Sequence, residues 1–168
     1  MDIKLYTENV KIITEKWSFY QLKEWKDKGK LIFGNEPSSK VWSQDRRARW
    51  IESILMSIPL APIFTNMDYQ GRLVIFDGVN RLSSVFAFID NEYSLKKIPI
   101  LNKYNGMNYT ALPPYLQSRI NSASIQLCII KPGTDEKVTA SILQRVNIQS
   151  TAIDKRMIVE SLNKINKK

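Results

Sequence analysis

A mixed α/β domain with a small, mostly antiparallel sheet and helices packed on it is the fold class the sequence predicts, and three observations predict it. First, two hydrophobic periods alternate along the chain. Leu73–Phe76 and Ile125–Ile130 are short apolar runs of strand type, whereas Leu82, Val85, Phe86 and Ile89 recur at the i, i+3, i+4, i+7 spacing of a helix. Second, the strand-like runs Ala61–Thr65 and Arg72–Phe76 flank the turn-rich stretch Asn66–Gly71, the pattern of a hairpin. Third, the chain has 168 residues, 43% hydrophobic and 24% charged, a size and balance suited to a single domain spanning residues 1–168 around one core.

Residues 1–16 alternate weakly and suit one or two edge strands. Ser18 is placed to cap a helix carrying Phe19, Leu22 and Trp25, with Gly29 to end it. Leu31–Phe33 opens a short strand that runs into a Pro- and Ser-rich loop. Ser43 should cap the next helix, whose apolar stripe is Ile51, Ile54, Leu55 and Ile58 and whose stop is Pro59. Glu52, next to Ile51, is expected to turn partly away from that stripe. After the hairpin and the helix from Gly78 to about Asp90, Tyr93–Leu101 reads as short strand pieces. Pro113 and Pro114 start a short helix, Ala123–Ile130 is a strand, and Thr134 should cap a helix through Val138, Ile142 and Val146. Asp154 caps a final helix with Met157, Ile158, Leu162 and Ile165 on one face.

Lysine and arginine outnumber the acids 25 to 16, a net charge of +9 that favours polyanionic partners. Arg46, Arg47 and Arg49 either line a phosphate-binding groove for DNA or form the wet face of an amphipathic helix, and the C-terminal Lys164, Lys167 and Lys168 add to the excess. The absence of histidine excludes a histidine general base and a zinc site with histidine ligands. The single cysteine, Cys128, is expected to be a buried core thiol in a reducing, cytoplasmic setting. No apolar run reaches the roughly 18 residues needed to span a bilayer, and no secretory segment opens the chain.

Strand and helix meet at Asp77-Gly78-Val79-Asn80-Arg81. A strand-to-helix turn offers free backbone N–H groups and the positive end of the helix dipole, so an anion is stabilised there. Arg81 in the first helical turn opposes that dipole unless a negative group accompanies it. Two readings stand open: phosphate held by Gly78 and Arg81, or Asp77 as the helix cap with Arg81 paired to it.

With these elements in place, the sequence resembles the N-terminal domain of GmrSD-type restriction proteins, in the wider superfamily of ParB and sulfiredoxin. The resemblance rests on Trp42-Ser43, Ile51-Glu52-Ser53 and Pro59, Asp77-Gly-Val-Asn-Arg-Leu82 in place of Asp-Gly-Gln-Gln-Arg-Leu, Asn105-Gly106, Leu112-Pro113 and Arg145-Val-Asn147. It implies a ParB/sulfiredoxin-like fold that binds a nucleoside triphosphate and acts on DNA. Hydrolysis of the triphosphate or of DNA phosphodiesters would use Mg²⁺ on Asp77, with Asp77, Asn80 and Glu52 catalytic and Gly78, Arg81, Lys40, Arg145 and Asn147 on the phosphates. Val79 and Asn80 replace both family glutamines, and Ser39-Lys40 stands where a Gln-Arg pair is common, losing arginine's bidentate fork. A nuclease activity would come from a separate subunit. The alternative is a non-catalytic DNA- or protein-binding regulator, a defence or anti-defence factor that keeps the fold. Sulfiredoxin-like redox chemistry needs a reactive exposed thiol, which Cys128 in an apolar strand does not supply.

Overall fold

The computed structural model describes residues 10–33 and 41–147. In chain order these form β1 (Ile12–Ser18), α1 (Phe19–Asp27), β2 (Leu31–Phe33), α2 (Gln44–Leu55), β3 (Ile63–Met67), β4 (Leu73–Asp77), α3 (Val79–Ile89), a 3₁₀ turn (Asn102–Tyr104), α4 (Pro114–Ser122), β5 (Ser124–Ile130) and α5 (Glu136–Asn147). The class is mixed α/β, as expected. The five-stranded sheet runs β1-β5-β3-β4-β2. It is not mostly antiparallel: β1/β5 and β3/β4 are antiparallel, but β3/β5 and β2/β4 are parallel. The parallel pairs arise because β2 and β5 each reach the sheet by a crossover and not by a hairpin, which local sequence does not announce.

Hydrophobic periodicity explains how the layers assemble. Leu31, Leu73, Ile75, Ile125, Leu127 and Ile129 share a core with Phe19 and Leu22 of α1, Ile51, Ile54 and Leu55 of α2, Leu82, Val85, Phe86 and Phe88 of α3, and Leu116 and Ile120 of α4. The alternate residues Val74, Phe76 and Ile130 form a second, smaller cluster with Ile32 and with Ile142 of α5. β4 therefore has apolar cover on both faces, which is why Leu73–Phe76 reads as an unbroken apolar run instead of an alternating one. α3 follows suit, with Ala87 and Phe88 buried beside Leu82, Val85 and Phe86, while Ile89 is only half-buried.

Several local expectations hold. Ser18 and Gln21 form a capping box at the start of α1, and Ser43 caps α2. Others are corrected. α2 stops at Leu55, so Ile58 lies beyond it and is 44% exposed. Tyr93–Leu101 contains no strand; its course is held by side-chain bonds, including Asn105 Oδ1 accepting from Ile98 N. The cap of α5 is Asp135, whose Oδ1 accepts from the amides of Lys137 and Val138, while the Thr134 hydroxyl donates to Lys131 O. Cys128 is half-buried and not a core thiol, because it sits on the β5 face opposite Ile125, Leu127 and Ile129. The proposed helix beginning at Asp154, the lysines at 164, 167 and 168, and Ile3 and Leu5 lie outside the described residues.

The β3–β4 connection runs from Asp68 to Arg72 and is organised by one buried carboxylate. Asp68 Oδ1 accepts from the amides of Gln70 (2.9 Å) and Arg72 (2.8 Å), and Oδ2 accepts from Arg72 Nε at 2.7 Å. Burial alone would raise the Asp68 carboxyl, but the Arg72 amide and guanidinium and the Gln70 amide outweigh it and hold the group below its ordinary 3.8. A carboxyl depressed in the folded state contributes stability above its unfolded pKa and loses it as pH falls through the folded value. The acid limb of stability below about pH 4 should therefore flatten in Asp68→Asn, measured by denaturant unfolding across pH. An acid limb unchanged in that variant would refute the assignment.

Candidate functional site

The turn between β4 and α3 takes its shape from Gly78. This residue is the N-cap of α3 in the left-handed region, φ 101°. A Cβ there would also meet Ile63 Cγ1 at 2.8 Å, so glycine is required both by conformation and by the close approach of β3. Asp77 is thus not the cap, and α3 begins with no side-chain cap at all.

Arg81 folds back over this turn. Its Nη2 lies 2.6 Å from Asp77 Oδ2 and 3.1 Å from Pro62 O, and Nη1 donates to Ala61 O. The side chains of the pair are only 12% and 20% exposed. Burial pulls the guanidinium below its ordinary value and the Asp77 charge partly offsets this. Arg81 is therefore the tie that fastens the Ala61–Pro62 segment, leading into β3, to the start of α3. The expected pairing of Arg81 with Asp77 is present, while the expected cap at Asp77 is replaced by Gly78.

Asn80 and Glu52 are also engaged within the fold. Asn80 Oδ1 accepts from Trp42 N at 3.0 Å, joining the approach to α2 to the first turn of α3. Glu52 is 5% exposed, so it does not turn away from the core as expected. Its Oε1 accepts from the amides of Ile100 and Leu101, both at 2.8 Å. Those two donors arrive from a loop about four dozen residues later, which is why the helical stripe alone misplaced the side chain.

The arginines of α2 have a more specific environment than a solvated face. The Arg46 guanidinium lies 4.4 Å from the Trp42 ring centre, and that of Arg47 lies 4.3 Å from Tyr93. Trp42 meets Trp50 edge-on at 6.1 Å. Arg46 and Arg49 are exposed and Arg47 is half-buried. Tyr93, missed in the sequence, donates its hydroxyl to Ser84 O at 2.8 Å, and burial drives its pKa well above the ordinary 10.0 despite the opposing effect of Arg47. Asp45, also in the first turn of α2, pairs with Lys97 at 2.7 Å.

The remaining candidates are dispersed. Arg145 is exposed on α5, whose Ile142 packs on the sheet face opposite α3. Lys40 and the side chain of Asn147 lie outside the described residues. Among the described residues no three His, Cys, Asp or Glu side chains gather to hold a metal ion. Mg²⁺ needs only one or two carboxylates when phosphate oxygens complete its shell, but Arg81 already holds one oxygen of Asp77, so an ion there would share that carboxylate. No helix among the described residues is long and apolar enough to cross a membrane. Compared with known proteins, the chain matches no family model, no curated protein and no solved structure.

Proposed function

We propose that the protein is a non-catalytic nucleic-acid-binding module that contacts duplex DNA phosphates through the first turns of α2. The observation that carries this reading is the stacking of Arg46 on Trp42 and Arg47 on Tyr93, with Arg49 exposed on the same helix. A guanidinium held over a ring loses less side-chain freedom on binding a phosphate. The groups that chemistry would call on, Asp77, Asn80, Arg81 and Glu52, are meanwhile bonded inside the fold. A net charge of +9 supplies the long-range attraction.

Duplex affinity should fall with salt at a logarithmic slope of about −0.9 per phosphate, roughly fortyfold between 50 and 200 mM if three phosphates are engaged. Anisotropy of a labelled duplex checks this, with Arg46→Gln and Arg49→Gln reducing the slope. Salt-independent binding, or no binding at low salt, would refute the proposal.

A second reading keeps one specific observation in its favour. α3 starts at Gly78 with no side-chain cap, so the positive end of its dipole faces the turn, and the order of motifs resembling GmrSD-type proteins implies a nucleoside triphosphate there. Under this reading Mg²⁺ joins the phosphates at Asp77 and a separate nuclease subunit acts in trans. Equilibrium binding of the four ribonucleoside triphosphates with Mg²⁺, alongside phosphate release, decides between the two: binding with turnover selects the second.

A further inference from the structure

We propose that the end of the sheet opposite the β4–α3 turn takes single-stranded nucleic acid, stacking a base on Tyr69 while a row of cations follows the backbone. This rests on the nucleic-acid reading above, but places a second contact away from α2 and changes the form of the ligand.

Strand topology assembles the row. Lys11 stands one residue before β1, Lys131 one after β5, Arg72 one before β4 and Lys30 one before β2, all at the same end of the sheet. Backbone bonds lock the outer pairs together: Lys131 N donates to Lys11 O at 2.7 Å, and Leu73 N, next to Arg72, donates to Lys30 O at 2.8 Å. With neighbouring strands about 4.8 Å apart, four spacings spread these cations over roughly 19 Å. Among the described residues Lys11, Lys30 and Lys131 make no salt bridge, and all three are exposed. Among the described residues, the acids close by in sequence are engaged or begin a helix: Asp27 pairs with Lys23, Asp68 holds Arg72, Asp135 caps α5, and Glu136 opens that helix.

Tyr69 occupies the middle of the row. It is 77% exposed, the most exposed large hydrophobic side chain among the described residues. Its loop is nevertheless fixed, since Asp68 carries the three side-chain bonds described above while Asp68 N and Gly71 N close the turn on Arg72 O and Asp68 O, each at 3.0 Å. A solitary exposed aromatic is ordinary. An aromatic on a pre-organised loop between cations is the combination that binds single strands, where the ring stacks on a base and the charges meet phosphates. A duplex keeps its base faces covered by neighbouring pairs, so the ring selects the unpaired form.

The test measures anisotropy of a labelled oligothymidylate and of a labelled duplex at one salt concentration. The proteins are the wild type, Tyr69→Ala, Tyr69→Trp, the triple variant Lys11→Gln/Lys30→Gln/Lys131→Gln, and Arg46→Gln/Arg49→Gln. Tyr69→Ala should weaken single-strand binding at least about fivefold while Tyr69→Trp retains it. The triple lysine variant should lower the single-strand salt slope by about two. Because Tyr69 faces solvent, unfolding midpoints should match the wild type, which makes a loss of binding attributable to the ring. Unchanged single-strand affinity in Tyr69→Ala overturns the inference, as does a loss confined to Arg46→Gln/Arg49→Gln. Duplex binding without single-strand binding also overturns it but leaves the proposed function standing, whereas a wild type that binds neither nucleic acid removes both.

Discussion

Glu52→Ala is expected to destabilise the protein by about 4 kcal/mol, and Glu52→Gln by only about 1 kcal/mol. Alanine leaves the part-buried amides of Ile100 and Leu101 without their acceptor, and each hydrogen bond lost to a carboxylate costs about 1.5–3 kcal/mol. It also leaves a gap beside Ile51, Ile54 and Leu55. Glutamine keeps a carbonyl oxygen where Oε1 serves both amides, so it loses only the charge assistance. In a protein of this size the alanine variant should melt about 10 °C lower. Hydrogen exchange at the Ile100 and Leu101 amides should accelerate in the alanine variant and stay near wild type in the glutamine variant. A catalytic carboxylate would give the reverse pattern, with Glu52→Gln fully stable and inactive, and that result would remove the structural assignment.

Arg81→Ala should cost about 3 kcal/mol, the usual range for removing one partner of a buried ion pair. The loss has two parts: Asp77 keeps a largely buried charge with its partner gone, and the carbonyls of Ala61 and Pro62 lose their donor. Adding Asp77→Asn to Arg81→Ala should recover part of the loss, because no stranded charge remains, so the double variant should be less destabilised than the sum of the singles. Urea unfolding of the four proteins in the cycle measures this coupling. Wild-type stability in Arg81→Ala, combined with abolished triphosphate binding, would show that the guanidinium serves a ligand and not the fold.

Features whose cause is local were legible in the sequence. The period of Leu82, Val85 and Phe86 located α3, Ser18 marked the start of α1, and two consecutive prolines opened α4. What escaped detection depends on residues distant in the chain. Glu52 is buried because the 100–101 loop brings two amides to it, and Arg47 finds its ring through the placement of Tyr93, far along the chain. Cys128 belongs to an apolar run, yet its exposure is set by which face of β5 looks toward the helices. The turn at Gly78 and the pairing of Arg81 with Asp77 were among the readings the sequence offered, but the two carbonyl acceptors of Arg81 were not, since they precede it by about twenty residues. The mixed strand order likewise depends on crossovers with no short-range mark.

That strand order also governs how the chain can acquire its structure. β5 stands between β1 and β3, so Ile12 finds its register only against Ile130, and Ile63 only against Leu127. Until residues 124–130 have left the ribosome, β1 has no strand to pair with and β3 carries an open edge. Loops this long are slow to close, and the exposed strand edges that wait for them are where self-association begins. Folding should accordingly be late and cooperative, with the first hundred or so residues unable to form a stable unit ahead of β5.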